Sequence, residues 1–170
     1  FNKGFLRRIL AFIKSKNFPF AHISTKCNIT MNNNNNNNNN NKVLYVQVGG
    51  TIDKDYPQRS GGYAFEINEP AAGRVLERAV PGFEFEVVSL MKKDSLDMTD
   101  GDRTELSEFL KSTPHTRIVV THGSDTIGLS ARTLGSVPGK VIVFTGSYRP
   151  ERFNGSDADF NLGGATAVLS

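Results

Sequence analysis

Three apolar stretches of this chain stop in the same way, and that repetition limits the possible folds more than any other feature. Val43–Val48 runs into Gly49-Gly50-Thr51, Arg117–Val120 into Thr121-His122-Gly123-Ser124-Asp125, and Val141–Phe144 into Thr145-Gly146-Ser147. Val43, Leu44, Tyr45, Val46 and Val48 are the aliphatic, β-branched and aromatic residues of a strand buried on both faces. In an open α/β sheet, chemistry is presented just past the carboxyl ends of the strands. Three strands ending in glycine plus Ser or Thr therefore predict hydroxyl-bearing loops that meet on one edge of a parallel sheet.

The segments between these strands read as helices. Pro70 suits a helix start, where its missing N–H costs nothing. Val75, Leu76 and Ala79 follow as an apolar stripe, and Pro81-Gly82 closes it. Phe83–Leu90 is a further strand. Thr99, with Asp102 three residues on, signals a helix N-terminus, and Leu106, Phe109 and Leu110 supply its buried face. Ile127, Leu129, Ala131 and Leu134 predict a helix from about Asp125 to Gly135, and Ala158–Leu169 a closing one. Residues 53–68, polar with Pro57, Gly61 and Gly62, read as a mobile flap carrying Tyr56 and Tyr63. The alternation βαβαβαβα predicts an α/β domain of three layers, Rossmann-like or flavodoxin-like. Its sheet is mainly parallel, with helices on both faces.

Ahead of this domain the composition changes. Asn32–Asn41 is pure asparagine, which buries no apolar surface and is expected to be a disordered linker. Residues 1–42 hold seven of the chain's 20 Lys and Arg and no acid, leaving 13 basic against 17 acidic residues beyond, a net of −4. The positive charge thus belongs to the leader at 1–31, not to the domain at 42–170, so no basic face for nucleic acid is expected there. Phe5–Lys16 of the leader is basic and amphipathic, as a mitochondrial transit segment would be; without that role the chain would be cytoplasmic. The chain begins at Phe1, as a fragment or a processed product would. One cysteine, Cys27, excludes an internal disulfide, and no apolar run reaches the roughly 18 residues of a membrane span.

Thr51 is a candidate nucleophile. A free hydroxyl is weak at neutral pH, so it needs a neighbouring base and an oxyanion site, for which N–H groups near Gly50 or at a helix N-terminus are candidates. Tyr63 is a partner if the flap folds over the strand ends; otherwise it packs on the surface. Asp125 either caps a helix or holds a substrate ammonium, beside Ser124. His122 is either an acid–base group or an imidazole bonded to loop backbone. His115 shows no partner, Lys92 and Lys93 read as a solvated charge pair, and Ser95 is a fourth hydroxyl just after a strand. No ligand spacing suggests a metal. Gly49-Gly50 lacks the dinucleotide fingerprint and there is no Walker motif, so no cofactor is expected.

Gly49-Gly-Thr-Ile52, Thr121-His-Gly-Ser-Asp-Thr126 and Thr145-Gly-Ser-Tyr-Arg-Pro150, with Ser156-Asp-Ala158 and Asn161-Leu162 behind, resemble the N-terminal domain of bacterial-type L-asparaginases. The resemblance covers about Lys42 to Ser170. With Gly61-Gly-Tyr-Ala-Phe-Glu66, the short domain is more similar to the stand-alone members than to the two-domain enzymes. It implies hydrolysis of the side-chain amide of asparagine, or of a related small amide, through a threonyl acyl-enzyme. Thr51 would be the nucleophile, assisted by Tyr63. Ser95 would hold the substrate's α-carboxylate. Asp125 would bind its amino group, with Gly50 and Ser124 also at the substrate. Ser124 stands where the family has a threonine of a second Thr-Asp-Lys set, the lysine of that set lies further along the family's chain than Ser170, and Leu96 replaces a polar contact. A binding module without turnover and an amide-hydrolysing component of a larger assembly are the alternative readings. A homo-oligomer is expected.

Overall fold

The computed structural model describes residues 42–58, 61–62 and 64–169. The expected leader at 1–31, the asparagine linker at 32–41 and Tyr63 lie outside the described residues. In chain order the elements are β1 (Val43–Gly49), β2 (Lys54–Asp55), β3 (Glu66–Ile67), α1 (Ala71–Ala79), β4 (Phe85–Lys93) and α2 (Asp100–Ser112). Then follow β5 (Arg117–Thr121), α3 (Ile127–Leu134), β6 (Val141–Thr145) and α4 (Ala158–Ala167). Four strands form a parallel sheet in the order β4-β1-β5-β6, and β2 pairs antiparallel with β3. The α/β architecture expected from the alternation is the one observed.

All seven residues of β1 are buried, because helices cover both faces of the sheet. Val43 and Tyr45, with Val119, point into a core shared with Ala71, Ala72, Val75 and Leu76 of α1 and Leu162 and Ala165 of α4. Leu44, Val46 and Val48, with Ile118 and Val120, point the other way, onto Leu106 and Leu110 of α2 and Leu134 of α3. This follows from the two-residue period of a strand. Each fully buried aliphatic side chain contributes about 1.5–3 kcal/mol, and a one-residue register slip would turn the alternating set of β1 side chains to the opposite faces.

The sequence pattern misplaces several boundaries by up to three residues: β4 begins at Phe85 rather than Phe83, and α4 ends at Ala167 rather than Leu169. β4 runs three residues past Leu90, to Lys93, because Gly49 pairs with Lys93 there across a register shift. α3 begins at Ile127, with Thr126 rather than Asp125 at the capping position. The cap expected at Thr99 is present in full: Asp102 N–H donates to Thr99 Oγ1 (3.2 Å) and Thr99 N–H to Asp102 Oδ2 (2.8 Å). Lys92 and Lys93 are not merely solvated: Lys92 pairs with Glu69 (3.1 Å) and Lys93 with that capping Asp102 (2.7 Å). His115 also has partners, Thr113 Oγ1 at 3.0 Å and Glu86 Oε2 at 3.4 Å.

The chain steps outward from β1 to β4, then returns past β1 to β5. The crevice at the carboxyl ends of β1 and β5 is the switch point at which open α/β sheets bind ligands. Across that end of the sheet Ser89, Gln47, Thr121 and Thr145 lie in register, one on each strand. Apolar rows give way here to a polar one. Above it the loops touch main chain to main chain. Gly50 has φ 84°, and a Cβ built there would lie 2.3 Å from Gly123 N and 2.4 Å from its Cα. Gly123 in turn abuts Ser95, whose Cβ and Oγ would lie 2.6 Å from an added Cβ.

Gly50→Ala is therefore expected to be disruptive on two counts, a left-handed backbone and a clash with the neighbouring loop. Together these cost at least about 2 kcal/mol. Denaturant unfolding of the full chain would measure it; an unchanged midpoint would mean that the β1 and β5 loops do not meet as described.

Candidate active site

The residues after β1 form one 3-10 turn, Thr51–Asp53, with Thr51 half-buried and Ile52 and Asp53 fully buried. Four neighbouring segments hold it. Gly50 N–H donates to Lys93 O of β4 (3.0 Å), and Glu151 N–H of the β6–α4 loop donates to Ile52 O (3.2 Å). Asp53 accepts from the first amide of α1, Ala71, at 2.7 Å and from Thr121 Oγ1 of β5 at 3.1 Å. The bond to Lys93 engages the Gly50 N–H itself, one of the N–H groups near Gly50 that the sequence offered for an oxyanion site. Gly50 is also the close-packing joint beside Thr51.

Ser95 is buried in a second 3-10 turn directly after β4, with its Oγ 3.4 Å from Asp125 Oδ2. Thr126 Oγ1 donates to Ser95 O at 2.8 Å, so the hydroxyl at the capping position of α3 is spent on the neighbouring loop and does not cap its own helix. Ser124 and Asp125 are exposed beside it. Leu96 is 73% exposed on the same turn, an apolar side chain in water next to buried Ser95. Thus the structure brings Ser95 and Asp125 together and sets the residue before Thr51 against the loop that carries Ser124 and Asp125.

His122 is buried, with Nδ1 2.8 Å from Gly123 O and Nε2 2.8 Å from Ser130 Oγ. A carbonyl only accepts, so Nδ1 carries the proton and Nε2 accepts from Ser130. Burial also holds its pKa below the ordinary histidine value. Of the two roles open in the sequence, this is the imidazole bonded to loop backbone. In the third loop Ser147 is buried and donates its hydroxyl to Arg149 O. Asp157 accepts from the amides of Tyr148 (3.0 Å) and Arg149 (3.1 Å). That loop supports the rim, its serine hydroxyl being engaged within its own loop.

The expected flap is tied down at its base. β2 and β3 form a hairpin, closed by Asn68 N–H donating to Asp53 O (3.1 Å). Tyr56, Phe65 and Phe153 of the third loop form a three-ring cluster with centroids 5.1–5.6 Å apart, and Arg152 pairs with Asp55 at 3.0 Å. The hairpin therefore leaves the sheet at the same rim as Ser95 and Asp125.

Sequence reasoning missed Asp53, Gln47 and Glu151. Gln47 was legible as a polar residue inside an apolar strand; it donates to Asn68 O (2.9 Å) and accepts from Ser89. Glu151 is buried between Arg74 and Arg78, both at 2.6 Å. Burial pushes the Asp53 carboxyl up to about 6 against the pull of Ala71 N–H, Thr121, Gln47 and Arg74. Burial also acts to raise Glu151, but Arg74 and Arg78 outweigh it and leave it low. An apolar groove of about 590 Å³ opens between α1 and α4, lined in part by Val43, Leu76 and Phe83, and none of the candidate residues lines it.

A protein-family model described as "Asparaginase, N-terminal" matches residues 42–170. The thermostable L-asparaginase from Thermococcus kodakarensis is similar in structure, with a TM-score of 0.63 and 27% identity over 75% of this chain and 40% of its own. L-asparaginase I from Vibrio cholerae (TM-score 0.63, 23% identity, 76% of this chain and 40% of its own) shares the fold. So does a probable cytoplasmic L-asparaginase from Campylobacter jejuni (TM-score 0.61, 21% identity, 76% of this chain and 41% of its own). The chain thus spans about two-fifths of the length of these structures. No curated protein matches it.

The shifted carboxyls predict how stability varies with pH. Asp53, raised by folding, takes up its proton in the folded chain first, so its contribution grows as pH falls from about 7 through 6 and is complete below about 4. Glu151, Asp102 and Asp157 are held low, so their contribution is present above the ordinary carboxylate range and is lost as pH falls through it. His122, held low by burial, acts in the opposite direction over the same interval, so Asp53 is read from a difference: the wild-type unfolding midpoint minus that of Asp53→Asn should fall as pH rises from about 5 to 7. A difference that stays constant or grows over that interval would contradict the assignment.

Proposed function

Because this chain belongs to the asparaginase family through the N-terminal domain matched at residues 42–170, we propose that it is an amidohydrolase of asparaginase type, acting on asparagine or a related small amide. The observation that carries the reading is the joint at the rim: Gly50, next to Thr51, packs on Gly123, while Ser95 Oγ lies 3.4 Å from Asp125 on the far side of the same glycine. These contacts support the reading that an alcohol, a second hydroxyl and a carboxylate meet at the switch point of the sheet.

In the proposed reaction Ser95 holds the substrate's α-carboxylate and Asp125 its ammonium, with Ser124 beside them, which presents the side-chain amide to Thr51. Thr51 Oγ attacks the amide carbon. Its proton passes to the assisting group, Tyr63 or the Ser124–Asp125 pair, and on to the nitrogen, which leaves as ammonia. Water then attacks the threonyl ester, releasing the carboxylic acid and restoring the hydroxyl. The scheme calls on no cofactor and no metal.

The finer assignments belong to the same proposal. Residues 1–31 are read as a leader, 32–41 as a linker and 42–170 as the domain. The setting is cytoplasmic, or mitochondrial if the leader directs import, and the assembly is a homo-oligomer. Among the described residues no helix is long and apolar enough to cross a membrane.

Thr51→Ala is expected to leave the fold intact and to lower ammonia release from L-asparagine and other small amides by at least about 1,000-fold, the scale on which nucleophile removal acts. Turnover by that variant equal to wild type would end the assignment. Tyr63→Phe should lower kcat more than it raises KM if the phenol moves a proton.

A further inference from the structure

We propose that Asp53 is the positioning residue of this site: its carboxylate fixes the turn that carries Thr51 against α1 and β5, and so sets how productively the Thr51 hydroxyl meets the amide. The inference rests on the reading of Thr51 as nucleophile.

Asp53 is completely buried two residues after Thr51, and every hydrogen-bonding group described on it is engaged by a different segment. Its N–H donates to Gly50 O (3.2 Å), closing the turn around Thr51, and its C=O accepts from Asn68 at the exit of the hairpin (3.1 Å). Oδ1 takes the first amide of α1 at 2.7 Å, and Oδ2 takes Thr121 Oγ1 at 3.1 Å. Thr121 is the last residue of β5, and the loop of Gly123, Ser124 and Asp125 follows it directly. One side chain therefore joins the nucleophile turn to the strand that carries the substrate-binding loop.

Packing alone does not call for an acid here. A neutral Asn would satisfy the Ala71 amide at far lower desolvation cost. What a carboxylate adds is two acceptor oxygens at once. Protonation would disturb the two links unequally. Ala71 N–H can only donate, so Oδ1 stays an acceptor, and the new O–H falls on Oδ2, where the Thr121 hydroxyl must turn round. The bond to α1 survives, and the bond to β5 is the one reorganised.

The groups facing Asp53 are few. Across α1 stands Arg74, which favours the ionised form and is itself held by Glu151. β1 presents Gln47 and β5 Thr121, neither of which titrates in this range. His122, just past the end of β5, is bonded to Gly123 O and Ser130 on the side that faces α3. Asp53, pushed up by burial to about 6, is thus the member of this cluster placed to lose its charge just below neutrality.

The test uses the full chain, with L-asparagine as the probe, in wild type, Asp53→Asn, Thr121→Val and Thr121→Ser. Amide NMR shifts of Thr51 and Ala71 are followed from about pH 5 to 7.5. Wild type should show both amides titrating together near about pH 6 and an acid limb of kcat at the same midpoint. Asp53→Asn and Thr121→Val should lower kcat about 10- to 100-fold, the scale of a misplaced reacting group, with KM changed less than about threefold. In Asp53→Asn the acid limb should vanish, and Thr121→Ser should restore wild-type rates. A wild-type kcat and pH profile in Asp53→Asn, or an acid limb that persists in it, overturns the proposal. Should Asp53→Asn fail to fold, the Thr121 pair and the wild-type titration decide it. Should wild type release no ammonia, the amidohydrolase reading falls separately. The titration still decides the link, since a Thr51 amide indifferent to Asp53 overturns it without any turnover.

Discussion

The rim of this sheet depends on a contact that admits no side chain. Gly50 lies on Gly123 so closely that a methyl group on Gly50 would fall 2.3 Å from Gly123 N, and one on Gly123 would fall 2.6 Å from the Ser95 side chain on its other side. Packing main chain on main chain brings the β1, β4 and β5 loops nearer than ordinary side-chain layers permit, since interiors are already close-packed. It also removes water from backbone groups that must then be satisfied locally. The satisfaction is visible: Gly50 N–H goes to Lys93 O, His122 N–H to Thr145 O, and Thr126 Oγ1 to Ser95 O. Each of these bonds crosses from one loop to the next. Thr51, Ser95 and Asp125 are therefore carried on a single hydrogen-bonded belt.

Beneath that belt lies the polar row of Ser89, Gln47, Thr121 and Thr145. A sheet buried on both faces has no cheap place for polar side chains, because each must find a partner or forfeit its hydration. Here each has one: Ser89 and Gln47 bond each other, Thr121 bonds Asp53, and Thr145 reaches Asn161 O at 3.4 Å. The row marks where the requirement for apolar packing ends and the requirement for positioned hydroxyls and carboxylates begins. Asp53 sits on that boundary, which explains why it is both wholly buried and multiply bonded.

Much of this was legible in the sequence. The alternation of strand and helix signals, the Thr99–Asp102 cap and the glycine-ended strands follow from local chemistry, and the structure reproduces them. Ser95 and Asp125, distant in the chain, were anticipated because both follow strands of one parallel sheet. Other features were not legible, for a physical reason. Asp53 and Glu151 look like surface acids in the sequence; only the fold reveals that Ala71, Thr121, Arg74 and Arg78 close around them. The start of α3 was misjudged because the hydroxyl of Thr126 serves Ser95 instead of its own helix. Local propensity reports what a residue can do, and the tertiary partner selects among the options.

Helix α1 shows how the supports combine. Its N-terminus binds Asp53 through Ala71 N–H, and Arg74 and Arg78 further along it bind Glu151, whose own N–H holds Ile52 O. The turn that carries Thr51 is thus gripped twice by the same helix, once through the carboxylate of Asp53 and once through the β6–α4 loop. The first grip brings the end of β5 with it, and the second brings Phe153 and Arg152, which fasten the hairpin through Tyr56, Phe65 and Asp55. A rigid helix packed on the core through Val75 and Leu76 consequently sets the height of the Thr51 turn, the Ser124–Asp125 loop and the base of the hairpin together. A displacement of α1 would move all three as a unit, whereas loss of either buried carboxylate would let one slide against the others.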